Sequence, residues 1–255
     1  AVADVLMTST CPIDTAAAPV DDGAPPEVAE QDADAAPPDT FLPPAGPGFY
    51  GLLRDEQGAL LPYFNVLGCM KLSCRYSKTD GEGRFVFQID SPAEVAVKTI
   101  EDLKQNPRLG AALQPIRLLD DAMVDLGAIW VPTLPAGVPI GPAKNDPQVL
   151  LAGDGLELTV SRAALSHPQF LDIEDVAARS IPLERVGLLD GIAPEDVAQA
   201  YALHPFSVKS AAPVAVRAPS DLPAGTAVAF HTISSLDGAT SAEVSGHADG
   251  ASGGA

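Results

Sequence analysis

Prolines and glycines interrupt this chain at short intervals. Its 255 residues include 25 prolines and 22 glycines, which is more than average usage supplies. Because proline cannot continue a helix and glycine favours turns, the pattern predicts short strands, turns and extended linkers instead of long helices. We therefore expect an all-β fold, in which two β-sandwich-like domains are joined by a Pro-rich linker and preceded by an extended acidic arm.

The charge balance limits the kinds of partner. The chain has 34 acidic and 15 basic residues, a formal net charge of -19, and such a chain repels nucleic-acid phosphates and anionic lipids. We expect other protein subunits as partners, and neither nucleic acid nor a small-molecule ligand. No apolar run in the sequence approaches the length of a transmembrane segment.

The beginning of the sequence favours an exported protein. The first residue is Ala1 and the first basic residue is Arg54, which we interpret as a mature chain whose export signal has been removed. The predicted location is extracellular, periplasmic or on the outer surface.

Composition divides the chain into five segments. Residues 1–46 carry nine carboxylates, no cation and repeated prolines, so they cannot bury enough apolar surface to offset their chain entropy. This arm is predicted to be an extended tether; alternatively, its apolar start, Val5-Leu6-Met7, docks on another subunit. The predicted segments are the arm (1–46), a first domain (47–132), a Pro/Gly linker (133–147), a second domain (148–236) and a flexible Gly/Ala/Ser tail (237–255).

The first domain is organised around the polar turn at residues 80–83, Asp-Gly-Glu-Gly. Its glycines allow the positive φ angles of a tight reversal, and Phe85 and Phe87 then lie on one face of an extended segment. The pattern predicts a β-hairpin here, six or seven strands in the domain, and a helix-capable insertion at residues 101–123. The clearest predicted strands are 49–54, 60–66, 84–89, 94–98 and 124–131.

The order of these turns and strands resembles a known family. The residues that carry the resemblance are Gly48, Gly51, Leu52, Asp55, Gly58, Pro62, Val66, Thr79, Asp80, Gly83, Phe85, Phe87, Leu126 and Gly127. They are similar to the carboxypeptidase regulatory-like domain, a transthyretin-like β-sandwich of secreted and surface proteins. The resemblance implies a module that accompanies or presents other domains and is not itself catalytic.

The second domain begins with a strictly alternating run, Leu156-Glu157-Leu158-Thr159-Val160, which predicts a strand. Further strands are predicted to begin at Ile181 and to cover residues 227–232, and residues 194–200 could form a helical turn. The order resembles a ZU5-like β-domain of bacterial surface proteins. The matching stretches are 155–160, 163–165, 201–206, 213–216 and 222–226.

Part of this second resemblance concerns self-cleavage. Residues 205–207, Pro-Phe-Ser, resemble the His-Phe-Ser cleavage site of some ZU5 domains. Here a proline separates His204 from Phe206 and would misplace the imidazole, so we do not expect cleavage.

The three cysteines have different expectations. Cys69 and Cys74 are separated by a stretch that lets the two strand ends of a short hairpin face each other, so a local disulfide is geometrically reasonable. Two reduced thiols in a β-layer are the alternative. Cys11 is a candidate lipid attachment site or intermolecular thiol, and it could equally be a free thiol.

Histidines and carboxylates show no catalytic pattern. The histidines, at 167, 204, 231 and 247, lack the helical spacing of a metal pair, so each is predicted to be a surface or strand residue. Asp120 with Asp121, or Asp175 with Asp172 and Glu174, could form an acid/base pair, although such acidic runs are usually solvated faces. We predict no catalytic, metal-binding or cofactor-binding residues.

Calcium is the one cofactor that the carboxylate turns make conceivable. The turns at Asp80, Glu82, Asp237 and Asp249 place carboxylates beside glycines, and the negative charge favours a divalent cation. Aspartate in such a turn is explained equally well by hydrogen bonding to its own backbone.

Together these features predict a non-enzymatic extracellular or cell-envelope protein, a subunit or accessory component of a larger surface assembly that it contacts through the N-terminal arm. The alternative is a carbohydrate- or peptide-binding module, which would need the aromatics Tyr50, Tyr63, Phe64 and Trp130 to line one groove. A hydrolase would need two facing acids in a cleft.

Overall fold

The computed structural model describes residues 4–9, 41–70, 73–89, 93–104, 106–118, 122–167, 172–186, 192–233 and 240–247, with side chains in all but the first and last of these ranges. The fold is all-β, as predicted, and 54% of the described residues are in strands. The helical pieces among the described residues are single 3-10 turns at Ala143–Asn145, Arg162–Ala164, Leu183–Arg185 and Pro194–Asp196. None of these turns has the length or hydropathy that a membrane span requires.

The strands of the described chain are numbered in sequence order. They are β1 (Asp4–Ser9), β2 (Gly48–Asp55), β3 (Asn65–Met70), β4 (Ser73–Lys78), β5 (Arg84–Gln88), β6 (Ala93–Thr99), β7 (Leu113–Leu118), β8 (Met123–Val131), β9 (Val138–Pro139), β10 (Gln148–Gly153), β11 (Leu156–Val160), β12 (Leu165–Ser166), β13 (Asp175–Ile181), β14 (Val197–His204), β15 (Lys209–Ser210), β16 (Ala215–Arg217), β17 (Ala227–Ile233) and β18 (Thr240–His247).

Strands β2 to β8 form the first half of the molecule, a sandwich of two sheets around one core. The sheet orders are β5-β2-β8 and β4-β3-β6-β7. Alternate residues of a strand point to the same face, which buries Phe49, Phe85 and Phe87 between the sheets. Glycine is required where rings approach the backbone: a Cβ at Gly51 would lie 2.9 Å from the Phe85 ring, and one at Gly68 would lie 2.9 Å from the Phe49 ring.

The predicted turn at residues 80–83 forms, but the prediction that it closes a β-hairpin was wrong. Asp80 Oδ1 accepts hydrogen bonds from the backbone N–H groups of Glu82 (2.9 Å) and Arg84 (2.8 Å), and Gly83 has a φ of 74°. The flanking strands β4 and β5 belong to different sheets. The turn therefore carries the chain from one layer of the sandwich to the other.

Two further predictions in this half need correction. The strand predicted at 60–66 begins only at Asn65, because Pro62 and Tyr63, whose φ is 56°, form a turn. The stretch 101–123 contains strand β7, in which Ile116 pairs with Val95 of β6. Pro115 interrupts any helix there, and proline is tolerated on an edge strand such as β7.

The second half contains a six-stranded sheet of order β18-β17-β1-β14-β13-β9 and a three-stranded sheet of order β10-β11-β16. Leu156 and Leu158 of β11 share a core with Val176 and Tyr201 of the larger sheet. The predicted strands at 156–160 and 227–232 are confirmed. Ile181, predicted to begin a strand, instead ends β13, and the helical turn predicted at 194–200 is a 3-10 turn that ends at Asp196.

The arm and the tail each contain a strand of this sheet. Residues 4–9 of the predicted arm form β1, which lies between β14 and β17, and residues 240–247 of the predicted tail form β18. Both strands are short runs inside segments dominated by polar residues, prolines or glycines, so composition gives little strand signal there, and pairing with neighbouring strands supplies the order. Residues 1–3 and 10–40 of the arm and residues 237–239 and 248–255 of the tail lie outside the described part of the chain.

The predicted linker is hydrogen-bonded to both halves. Its strand β9 pairs with β13 of the second half, Val138 opposite Val176. On the other side, the Leu134 N–H donates to the Arg108 carbonyl oxygen at 2.9 Å, and the Leu134 side chain is buried. The linker therefore packs across the junction and contacts both halves.

Candidate functional site: the junction between the two halves

Four charged residues from distant parts of the sequence meet where the two halves touch. Glu101 and Arg108 lie in the connection between β6 and β7 of the first half. Asp175 is the first residue of β13 and His204 is the last residue of β14, two neighbouring strands of the second half. We call these four residues the junction cluster.

His204 occupies the centre of the junction cluster and is only 7% exposed. Its Nδ1 lies 3.0 Å from both carboxylate oxygens of Glu101, and its Nε2 lies 2.9 Å from Asp175 Oδ1. An imidazole donates from both ring nitrogens only when it carries a proton on each. A carboxylate at each nitrogen therefore fits the imidazolium form, which places one cation between two anions.

Arg108 completes the charge balance. Its Nη1 donates to Asp175 Oδ2 at 2.9 Å and its Nη2 to Asp175 Oδ1 at 3.4 Å. Burial raises the pKa of Asp175, but the hydrogen bond from Arg108 and the charges of His204 and Arg108 outweigh it, so that the pKa of this carboxyl lies below its ordinary value. With the imidazolium, two anions face two cations, which is the condition for burying such groups at acceptable cost.

Backbone groups close the cluster on two sides. The Phe206 N–H donates to Glu101 Oε1 at 3.2 Å. Gly137 of the linker lies directly against Asp175, and a Cβ at position 137 would lie 1.8 Å from Asp175 Oδ2. The linker therefore covers the ion cluster at a distance that only glycine allows.

The chemistry of the cluster favours a structural role over catalysis. It has the residue types of an acid–base site, but both nitrogens of His204 and both oxygens of Asp175 are spent on partners within the cluster. A general base must face the proton that it removes from a substrate, and neither nitrogen of His204 has that freedom in this arrangement.

A second set of contacts joins the halves nearby. Arg179 of β13 makes a two-pronged ion pair with Glu56, with nitrogen-to-oxygen distances of 2.8 and 2.6 Å. The Arg185 guanidinium lies 4.0 Å from the centre of the Trp130 ring, a cation–π contact across the junction. Glu56 directly follows β2 and Trp130 lies near the end of β8, both in the first half. Their partners in the second half are Arg179 of β13 and Arg185 of the 3-10 turn after β13.

A small cleft of about 50 Å³ lies between the halves beside Trp130. Its walls include Leu113 and Trp130 from the first half and Tyr201 and Ile233 from the second. Burial raises the pKa of the Tyr201 phenol, and the charge of Asp154 adds to the effect. Ligand pockets usually enclose several hundred Å³, so this cleft is too small for a typical small-molecule ligand.

The four aromatic residues proposed for a binding groove lie in different places. Phe64 is buried in the first core and Tyr63 is 71% exposed at a turn. Trp130 lines the junction cleft. Tyr50 lies on the outer face of β2 with its ring 5.5 Å from that of Phe41. The groove that the binding alternative requires is not formed by these four residues.

The remaining candidates have separate outcomes. Cys69 and Cys74 are opposite each other in the β3–β4 pair and form a disulfide, as predicted. Asp172 and Glu174 are exposed, whereas Asp175 of the same acidic run belongs to the junction cluster. His167 Nε2 lies 3.2 Å from the Phe206 carbonyl oxygen, and burial lowers the pKa of His231.

Several candidates cannot be placed. Cys11, Asp120, Asp121, Asp237 and Asp249 lie outside the described residues, as does the side chain of His247. Within the described part of the chain, no three His, Cys, Asp or Glu side chains are grouped to hold a metal ion. The calcium hypothesis stays a prediction.

Sequence reasoning missed Glu101 and Arg108 and did not connect Asp175 with His204. The four residues come from four segments, and neither spacing nor local pattern relates them. Only the packing of one half on the other brings them together.

Comparison with known proteins adds little to this description. No protein-family model matches the chain, and the curated proteins contain no match to it. Among solved structures, the chain is similar to a proposed carbohydrate binding protein from Bacteroides uniformis ATCC 8492, with 11% sequence identity and a TM-score of 0.25. The similarity covers 80% of this chain and 100% of that one. At that TM-score it carries no argument about fold or function.

Proposed function

We propose that this protein is a non-enzymatic structural or interaction protein of the cell envelope or the extracellular space, and that it works as a subunit or accessory component of a larger surface assembly. The junction between the halves carries the proposal. A structural subunit that transmits force needs its two halves held at a fixed orientation. The junction cluster holds them there by paired, largely buried charges.

The cluster is suited to this role because its charges balance only when both halves are in place. A shift of one half that left Glu101 buried without His204 would leave an unpaired buried charge, and loss of one partner of a buried ion pair costs on the order of 3–5 kcal/mol. The cluster therefore resists displacement of one half against the other. The Arg179–Glu56 pair and the Arg185–Trp130 contact add to that resistance.

The disulfide supports an oxidising compartment. Cys69 and Cys74 are bonded at the end of the β3–β4 pair, and structural disulfides are rare in reducing compartments. The carboxypeptidase regulatory-like and ZU5-like relationships of the two halves stay predictions, and both would fit a surface protein.

The native mass of the protein in its source tests the proposal. Cells or envelope fractions are treated with a mild cross-linker before extraction, and the protein is then followed by antibody through size-exclusion chromatography. We expect a complex many times larger than the 26.2 kDa chain. The purified recombinant chain, run at the same concentration, is the control for cross-linker artefacts. Recovery from the source as a free 26.2 kDa chain, with and without cross-linking, would contradict the proposal.

One observation favours the carbohydrate- or peptide-binding alternative. Tyr50, Phe41 and Arg84 form a small platform on the outer face of β2, with the Arg84 guanidinium 5.3 Å from the centre of the Phe41 ring. Flat rings with a neighbouring cation can bind sugars or aromatic peptide side chains. A glycan and peptide array tests this: binding that is lost in Tyr50→Ala and kept in Tyr63→Ala would support the alternative, and absence of binding would remove it.

A further inference from the structure

Strand β1 completes a sheet whose other strands all come from residues 138–247. β1 pairs on one side with β14, where Leu6 is opposite Ala200, and on the other side with β17, where Met7 is opposite Phe230. β14 and β17 are not paired with each other. Without β1, the six-stranded sheet would divide into a β17–β18 pair and a β14–β13–β9 group.

The space between β14 and β17, which β1 fills, is the slot. Without β1, the slot would have two unpaired strand edges. Each edge offers a row of backbone N–H and C=O groups, and unpaired rows of this kind bind any extended segment that fits them. Val228, Thr232 and Ile233 of β17 are buried in the completed sheet. Vacating the slot would also expose this part of the core, so the slot strongly favours an occupant.

The strand that fills the slot is attached to the first half only through residues 10–40 and the segment that follows them. The number of residues in that stretch sets its greatest reach, which is roughly 100 Å for a fully extended chain. This reach allows β1 to enter the slot of its own chain or that of a neighbouring copy. The two arrangements form the same hydrogen bonds.

We infer that β1 exchanges between copies: in the assembled state, the β1 of one chain fills the slot between β14 and β17 of the next. This inference rests on the proposed function, because it names the partner of the assembly as a second copy of this chain. A head-to-tail contact of this type is heterologous, so repeated exchange produces an open filament unless the rotation between copies closes a ring.

Concentration decides between the closed and the exchanged state. A connection of this length gives β1 an effective concentration in the millimolar range at its own slot. Dilute protein is therefore closed, and exchange requires copies that are crowded together, as on a surface. Between about 4 µM and 400 µM protein, we expect the exchanged fraction to rise more than tenfold, because it scales with the ratio of protein to effective concentration.

Cysteine pairs across the slot test the inference in the full chain. In a Cys11→Ser background, a chain with Leu6→Cys and a larger, tagged chain with Ala200→Cys are unfolded together in denaturant without reductant, which keeps the native disulfide. They are refolded together at each concentration and then mildly oxidised. A second pair, Met7→Cys with Phe230→Cys, guards against one unfavourable side-chain geometry. We expect a mixed disulfide dimer whose yield rises with concentration as calculated.

Two controls define the outcomes. Leu6→Cys mixed with Ala215→Cys, on the other sheet of the second half, should give no dimer above background. Chains that carry both cysteines of a pair show whether β1 fills its own slot when dilute. A yield of mixed dimer at 400 µM no higher than that of the Ala215→Cys control would overturn the inference. This holds whether the chains with both cysteines cross-link within themselves or do not cross-link at all. If the source protein is in a large complex while cross-links stay within chains, exchange is refuted and the proposed function survives; a free chain in the source refutes the proposed function itself.

Discussion

Replacement of His204 by alanine tests the junction cluster most directly. The substitution removes the cation between two carboxylates and affects them unequally. Asp175 keeps Arg108, whereas Glu101, with a side chain only 14% exposed, keeps the Phe206 N–H as its one hydrogen-bond donor among the described residues. A buried charge that loses its partner costs on the order of 3–5 kcal/mol. For a chain of this size that corresponds to a fall in Tm of roughly 10 °C.

The assay uses the single tryptophan of the chain. Trp130 lies at the junction under Arg185, so its fluorescence follows separation of the halves, while far-UV circular dichroism follows loss of the sheets. In His204→Ala we expect the fluorescence transition in urea to shift to lower concentration. It should also precede the circular dichroism transition if the halves part before they unfold.

Two matched variants make the result specific. Arg117→Ala removes an ion pair with Glu94 whose side chains are 72% and 55% exposed, and exposed pairs contribute about 0–1 kcal/mol. Glu101→Gln, added to His204→Ala, neutralises the stranded carboxylate and should recover about 1–3 kcal/mol as coupling energy. A loss in His204→Ala no larger than that in Arg117→Ala, or no recovery in the double variant, would refute the reasoning.

Three other predictions follow from single features. Gly137→Ala places a methyl group on the carboxylate below it and should cost about 1–3 kcal/mol in urea unfolding, whereas Gly81→Ala, whose nearest added contact is 3.5 Å away, should cost far less; equal losses would contradict the close approach. Replacing Cys69 and Cys74 by alanine opens a short loop and should cost about 2 kcal/mol, an amount that reductant should reproduce in the wild type and not in the variant. Backbone hydrogen bonds, the one from Ala163 first, hold the pKa of Asp146 well below its ordinary value. The stability it contributes is complete above about pH 4 and is lost as pH falls through the lower folded-state pKa, so Asp146→Asn should flatten the acid side of a Tm–pH curve, and an unchanged acid limb would count against this role.

Local patterns predicted the parts of the fold that local chemistry determines. The alternation of residues 156–160 and the glycines around Asp80 act over a few residues, so the strand and the turn could be derived from them. The partner of a strand is not a local property. The turn at Asp80 connects two layers because the strands β4 and β5 pair elsewhere, and nothing within residues 79–87 records that.

The candidate site was unpredictable for the same reason. The run around Asp175 resembles a solvated acidic face, and His204 resembles an ordinary strand residue. Their roles arise only because a loop of the other half delivers Glu101 and Arg108 to the same point. Cys69 and Cys74 were predictable because their separation of 5 residues keeps the partners within one strand pair.

The position of β1 also sets the order in which the molecule can be completed during synthesis. Residues 4–9 leave the ribosome long before their partners at 197–204 and 227–233 are made. Contacts so far apart in sequence form slowly. For most of its biosynthesis the chain therefore carries a strand without a sheet. A chain that ended before residue 227 would keep residues 4–9 but lack one of their two neighbouring strands, so the folding of residues 4–9 depends on the synthesis of residues 227–233.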